Sequence, residues 1–293
     1  MNDRVTLRPL TTPADMAQAE ALQRRVWPDS ETDVVPGHLM LALAHGGGVV
    51  LGAFDGEQLV GYVMGFLGTD SASPERVASA RLKHCSHQMG VLPDYRDRGL
   101  GLRLKEAQRQ AVVRQGVRLI TWTYDPLLSR NAALNIRRLG GLCRTYVREA
   151  YGEMRDGLNA GIPSDRFEVE WWITSARVIS RLEGKRPGLD LAHFLAAGAQ
   201  QLNPTTLGPD GLPRPADHAD RPQGSLALVE IPFDYLEIRR RDLALARDWR
   251  MHARQVFEQA FADGFLVTDF VSLRGGPHER SYYLLSHGEG TLG

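Results

Sequence analysis

Cysteine is close to absent: Cys85 and Cys143 are the only two in 293 residues, and their separation fits neither a zinc site nor a disulfide framework. Lysine is scarce too, with 3 lysines against 32 arginines. Arginine suits fixed, bidentate contacts with phosphate or carboxylate, although a genome-wide composition bias explains the skew more simply. Neither sign of charge predominates, because 35 basic residues balance 35 acidic ones. That removes any general attraction to nucleic acid or to an anionic membrane. No apolar run approaches the length of a transmembrane helix, and Met1–Leu10 lacks a basic segment leading into an apolar stretch, so no signal peptide is expected. These absences predict a soluble, cytoplasmic protein with no metal, nucleic-acid or membrane partner.

Apolar residues make up 43% and charged residues 24%, the balance of an ordinary globular enzyme with room for one large or two modest domains. Val5–Arg8 reads as a strand, and Thr12 before Pro13 as the start of a helix running to Val26-Trp27. A second helix over Gly37–Ala44 precedes two strands, Gly48–Phe54 and Gln58–Leu67, joined by the hairpin signal Asp55-Gly56. Ala80–Leu92 is a predicted strand, Gly99–Gln115 a helix, Val117–Tyr124 a strand and Ser129–Leu139 a short helix, with further strands at Leu142–Val147 and Glu168–Ile173. Prolines crowd 184–224, the expected linker or excursion between a domain at 1–183 and an extension at 225–293. The extension carries a strand, a long helix over Asp242–Asp263 and a final pair of strands. The alternation predicts an α/β (α+β) class with a mixed sheet.

The informative stretch is Val91-Leu92-Pro93-Asp94-Tyr95-Arg96-Asp97-Arg98-Gly99-Leu100-Gly101, between a predicted strand and a predicted helix. A helix N-terminus carries unpaired N–H groups and partial positive charge, which together attract an anion. Gly99 and Gly101 allow the backbone to approach a phosphate, while Arg96, Arg98 and Arg103 add charge around the turn. A dinucleotide fingerprint would need glycine at position 104, which is Leu. A Walker loop would need Lys-Ser/Thr after Gly101, where Leu-Arg stands.

Val91–Gly101 resembles motif A of the GNAT acetyltransferase superfamily, and the order of elements over Arg4 to Ile173 agrees with it. The resemblance implies a GNAT fold, with a mostly antiparallel mixed sheet flanked by helices, and acetyl-CoA or another acyl-CoA as co-substrate. It implies that Met89 and Val91 contact pantetheine, and that Arg96, Arg98, Gly99, Leu100, Gly101 and Leu102 surround the pyrophosphate. Asn131 matches a family asparagine near the start of the next helix. The family tyrosine seven residues later is replaced by Arg138, which leaves Tyr124, Tyr146 and Tyr151 as alternatives for the acid. Asp125-Pro126, Arg130-Asn131, Tyr151-Gly152 and Ser164-Asp165-Arg166 resemble a longer GNAT subfamily, some relatives of which are associated with N-succinylation of amino acids. The C-terminal helix, Gly264-Phe265 and closing strands echo the end of a GNAT unit without a second phosphate loop, as in a degenerate half.

Transfer of an acyl group from a thioester to an amine needs a base, an oxyanion partner and a proton for the thiolate. His87 is the candidate base and Tyr146 the candidate acid, while Arg130 and Arg166 are candidates for holding a substrate carboxylate. Cys85 as a nucleophile lacks an evident partner. The expected partner is a small-molecule amine, with a homodimer as a superfamily habit. The alternatives are acetylation of a protein amine and a non-catalytic acyl-CoA sensor.

Overall fold

The structure is a computed structural model that describes residues 4–28, 31–70, 74–152, 160–186, 188–275 and 278–288. Its contacts divide the chain into two units. The first is the described part of Met1–Trp122 with Trp172–Thr174, and the second comprises the described parts of Thr123–Met154, Asn159–Trp171 and Ser175–Gly293. The division falls inside a strand, whereas composition pointed to 183/184.

The first unit runs β1 (Val5–Pro9), α1 (Pro13–Val26), α2 (Gly37–His45), β2 (Val49–Asp55), β3 (Gln58–Thr69), β4 (Leu82–Val91), α3 (Leu100–Arg114) and β5 (Leu119–Tyr124, to Trp122). Thr12 starts α1 with a capping box: its hydroxyl accepts from the Asp15 N–H and its own N–H donates to the Asp15 carboxylate, each at 3.1 Å. Such a cap stabilises a helix by about 1 kcal/mol. The strands follow the order β1-β2-β3-β4-β5, antiparallel except for the parallel last pair. Met16, Ala19 and Leu22 of α1, Val60 and Tyr62 of β3 and Leu104 of α3 belong to one buried cluster.

Two irregularities shape β4. Against β3 the register passes from Met64↔Gln88 to Gly65↔Ser86, so His87 is an inserted bulge residue. Against β5 the register covers only His84↔Ile120 and Cys85↔Thr121. Beyond Cys85 the two strands part.

In the second unit, α4 (Ser129–Ala132) continues as a π-helix over Ala133–Arg138, where Leu139 N–H donates to Leu134 O at 2.9 Å. The widened turn departs from the uniform helix expected at Ser129–Leu139. Next come β6 (Leu142–Val147), β7 (Arg166–Trp172), α5 (Ala176–Leu182), α6 (Leu191–Ala196), β8 (Gln200–Gln201) and the short pair β9 (Thr206–Leu207) and β10 (Pro213–Arg214). The unit closes with β11 (Leu226–Pro232), α7 (Tyr235–Arg241), α8 (Leu243–Ala262), β12 (Phe265–Leu273) and β13 (Arg280–His287). Its sheet order is β7-β6-β12-β13-β11-β8, antiparallel except for β11–β8. Trp249, Ala253, Val256, Phe257 and Ala260 form the buried stripe of α8, and the Phe257 ring meets those of Phe167 and Tyr283 edge-on at 4.7 and 5.4 Å. The proline-rich stretch adds Phe194 and Ala199 to a buried cluster with Leu228 and Tyr282, so part of the expected excursion is core. The fold class is the mixed α/β expected.

Candidate active site

The anion-binding turn lies between β4 and α3. Asp97 (φ 59°) and Gly99 (φ 77°) both adopt the left-handed conformation, and Gly99 is the N-cap of α3. Holding a non-glycine residue there costs about 1 kcal/mol. As a glycine, Gly99 gives α3 no side-chain cap of its own. A Cβ at Gly99 would meet no atom within 4 Å, so the cradle is open on that side. Arg96 Nε donates to Val91 O at 3.0 Å and closes the loop on itself. Arg98 is exposed and leans over the Tyr95 ring at 5.6 Å, and Tyr95 donates to Asp55 Oδ2 at 2.7 Å. Arg103 is turned to structural use, donating from Nη2 to Val5 O at 2.7 Å. Leu100 is buried, whereas Gly101 and Leu102 are half-buried. These residues fit a pyrophosphate through open backbone, a helix N-terminus and two nearby guanidiniums.

Met89 and Val91 are half-buried on the part of β4 that has left β5. His87 is solvent-exposed at the bulge, yet the protein packed around it lowers its pKa below the ordinary value by desolvation. It therefore stays neutral at physiological pH and able to accept a proton.

Beneath this strand lies a polar network that sequence reasoning missed. Lys105 is buried on α3, donates to Ser86 Oγ and Gln108 Oε1 at 3.0 Å each, and sits 3.6 Å from the centre of the Trp122 ring. Burial holds its pKa well below the usual lysine range. Gln108 Nε2 lies 3.2 Å from His84 Nε2, and an amide nitrogen only donates, so that ring nitrogen is the acceptor. Burial, then the Lys105 charge, push His84 down to about 4. Gly65 makes room for this ring, since a Cβ there would lie 2.3 Å from His84 Nε2. The available signal was a lysine at 105 and a glutamine at 108 inside the buried stripe of α3.

The remaining candidates belong to the second unit. Tyr146 donates to Asp165 Oδ2 at 2.8 Å, and that carboxylate also accepts the Glu149 N–H at 3.0 Å and two Arg254 N–H groups at 2.8 Å. Burial would raise the Asp165 pKa, but the hydrogen bonds from Arg254, Glu149 and Tyr146 outweigh it and leave it lowered. Burial raises Tyr146. Tyr124 is buried with its hydroxyl 3.1 Å from that of Tyr283, and Tyr151 is exposed with its hydroxyl 2.6 Å from Thr123 Oγ1. Arg130 is exposed and Asn131 half-buried. Arg166 is buried, donates to the Asp165 carbonyl at 2.9 Å and lies over the Tyr151 ring at 5.5 Å. Among the described residues there is no group of three or more His, Cys, Asp or Glu that could hold a metal ion, and no helix long and apolar enough to cross a membrane.

Residues 14–140 match the profile of the Acetyltransferase (GNAT) family. This part of the chain is a GNAT acetyltransferase domain, and it contains the splayed β4 and the turn before α3. Solved structures similar to the chain include Arabidopsis thaliana NAA60 in complex with acetyl-CoA, at 17% identity over 57% of this chain and 99% of that one, with a TM-score of 0.46. The ribosomal-protein-S18-alanine N-acetyltransferase from Escherichia coli is 17% identical over 59% of this chain and 96% of its own, with a TM-score of 0.44. An aminoglycoside 6'-acetyltransferase type Ii is 16% identical over 57% and 97%, with a TM-score of 0.43. No curated protein matches the sequence.

Proposed function

We propose that this protein is an N-acyltransferase that moves an acetyl or succinyl group from coenzyme A to the amine of a small molecule, with amino acids the first class to test. One observation carries the reading: β4 leaves β5 after Cys85 and feeds an open turn with two left-handed residues at the N-terminus of α3. Backbone of this kind supports a pantetheine arm along Met89–Val91 and a pyrophosphate at Arg96–Leu102, and the bound thioester supplies the acyl group.

His87, neutral and exposed, takes the proton of the incoming ammonium directly or through one water. The free amine then attacks the thioester carbonyl: the C–N bond forms, the C–S bond breaks, and the nitrogen's surplus proton passes to water, from which Tyr146 regains the proton it gives to the thiolate. Backbone N–H groups of β4 beyond the pairing stabilise the negative charge that develops on the carbonyl oxygen. Tyr146 is the proposed donor to the departing thiolate, which requires its hydrogen to leave Asp165. Arg130 and Asn131, at the start of α4, are the proposed contacts for substrate carboxylate and coenzyme.

The testing experiment measures free thiol released from acetyl-CoA and succinyl-CoA against D- and L-amino acids, polyamines, aminoglycosides and peptides. Release that depends on one class of small amine supports the reading and names the acceptor. Release with peptides alone moves the activity to protein amines. Coenzyme binding without release under any condition leaves a sensor.

A further inference from the structure

Three arginines of the second unit, Arg137, Arg181 and Arg186, converge on one buried aspartate, Asp269, and a fourth, Arg177, bonds the backbone beside it. The register of β12 against β13 slips between Val267 and Asp269, so Thr268 is an inserted residue and its carbonyl is turned from the ladder. Arg177 donates to that carbonyl, and Arg181 reaches it at 3.3 Å. Arg177 Nε also donates to Gly140 O at 3.0 Å, and Arg181 Nη1 to Arg137 O at 2.6 Å. These bonds tie α5 to the end of the π-helix and to the bulge.

The carboxylate of Asp269, 2% exposed, is the shared counter-charge. Arg181 approaches it at 3.1 and 3.3 Å. Arg186 stands 3.5 Å and Arg137 3.6 Å away, longer than an ordinary N–H···O bond. Asp269 Oδ1 also accepts the Phe270 N–H at 2.8 Å, so much of its acceptor capacity is used. Four guanidiniums against one carboxylate leave a strongly positive cluster. Burial, then Arg181 and Arg186, press Arg177 down to about 9, which registers the crowding.

Two features go beyond what holding the bulge requires. The Arg181 side chain is only 4% exposed, and its Nε is a buried donor with no hydrogen-bond partner. Arg137 and Arg186, by contrast, are about a third exposed and hover near Asp269 without bonding it closely. A charged donor buried without an acceptor is costly, and planar guanidinium forks match the oxygens of a phosphoryl group.

We propose that Arg137, Arg181 and Arg186, held in place by Asp269, form an oxyanion site that takes a dianionic phosphoryl group. A dianion balances most of the excess charge and meets several donors at once, whereas a monoanion such as chloride does neither. The phosphoryl group can come from free phosphate, from a nucleotide or from coenzyme A itself. The inference stands independently of acyl transfer.

The test is isothermal titration calorimetry on the full chain with inorganic phosphate and with adenosine 3',5'-bisphosphate, each against KCl of matched ionic strength. Both titrations are run with and without saturating coenzyme A. The protein is compared with R137Q and R186Q, whose altered side chains are partly exposed, and with R186K, which keeps the charge. All are checked for folding by thermal melting. The expected result is one phosphate site weakened about tenfold by either glutamine variant and less by R186K. Persistence under saturating coenzyme A assigns the site to phosphate or nucleotide, and the tighter of those ligands names the source. Displacement by coenzyme A, with both glutamine variants binding coenzyme A more weakly, assigns it to the coenzyme's phosphate. Binding no stronger than the KCl control, or equal binding by folded variants, overturns the proposal.

Discussion

Tyr146 gives its hydroxyl hydrogen to Asp165 across 2.8 Å, and Arg254 holds both oxygens of the same carboxylate. A phenol so engaged either leaves this bond to protonate the thiolate or serves only to anchor β6. If it is the acid, Y146F lowers kcat about 100-fold with the KM for acetyl-CoA unchanged. A loss of a few degrees in melting temperature with kcat within about threefold makes it an anchor. Steady-state kinetics and a thermal melt on one preparation separate the two.

His87 acts as a base only when neutral, so activity rises with pH through its pKa. Desolvation lowers that pKa, and the acidic limb of kcat/KM is therefore expected below the usual histidine value of 6.5. H87Q is expected to lower kcat/KM about 100-fold and to abolish that limb. An unchanged limb in the variant assigns it to another group.

Gly99 combines a left-handed backbone with open space at its Cβ position. G99A therefore meets no steric obstacle and acts through the backbone alone, at about 1 kcal/mol. The turn relaxes away from its conformation, and the Kd for acetyl-CoA measured by calorimetry is expected to rise at least about fivefold, with little loss of melting temperature. Unaltered affinity would remove the phosphate role of this turn.

His84 has a folded pKa near 4 against 6.5 in the unfolded chain, so the unfolded state binds the extra proton first on acidification. Its contribution is fully present above about pH 6.5 and is lost progressively as the pH falls toward 4. The whole loss is about 3 kcal/mol. Denaturant unfolding across this window is expected to show a steeper fall for the native protein than for H84Q. Parallel curves would place the titration elsewhere.

Much of the first unit was legible in the residues. Thr12-Pro13, Asp55-Gly56 and the apolar spacing of α3 are local signals, and local chemistry decides them. The turn at Arg96–Gly101 was legible for the same reason, because glycine and a helix start act within a few residues. The π-helix at Ala133–Arg138 was not, since it answers to packing rather than to propensity.

Amino-acid order alone specified the strand–turn–helix at Val91–Gly101, the hairpin of β2 and β3 and the long apolar stripe of α8. Folding in three dimensions selected which polar residues meet. Ser86, Lys105 and Gln108 come together because β4 and α3 pack face to face, and Arg137, Arg181 and Arg186 gather at Asp269 because a bulge in β12 aims a carbonyl at α5. Such encounters depend on register and on separations of up to 132 residues along the chain, from Arg137 to Asp269. Neither periodicity nor motif spacing carries that information, because each describes only neighbours on one element.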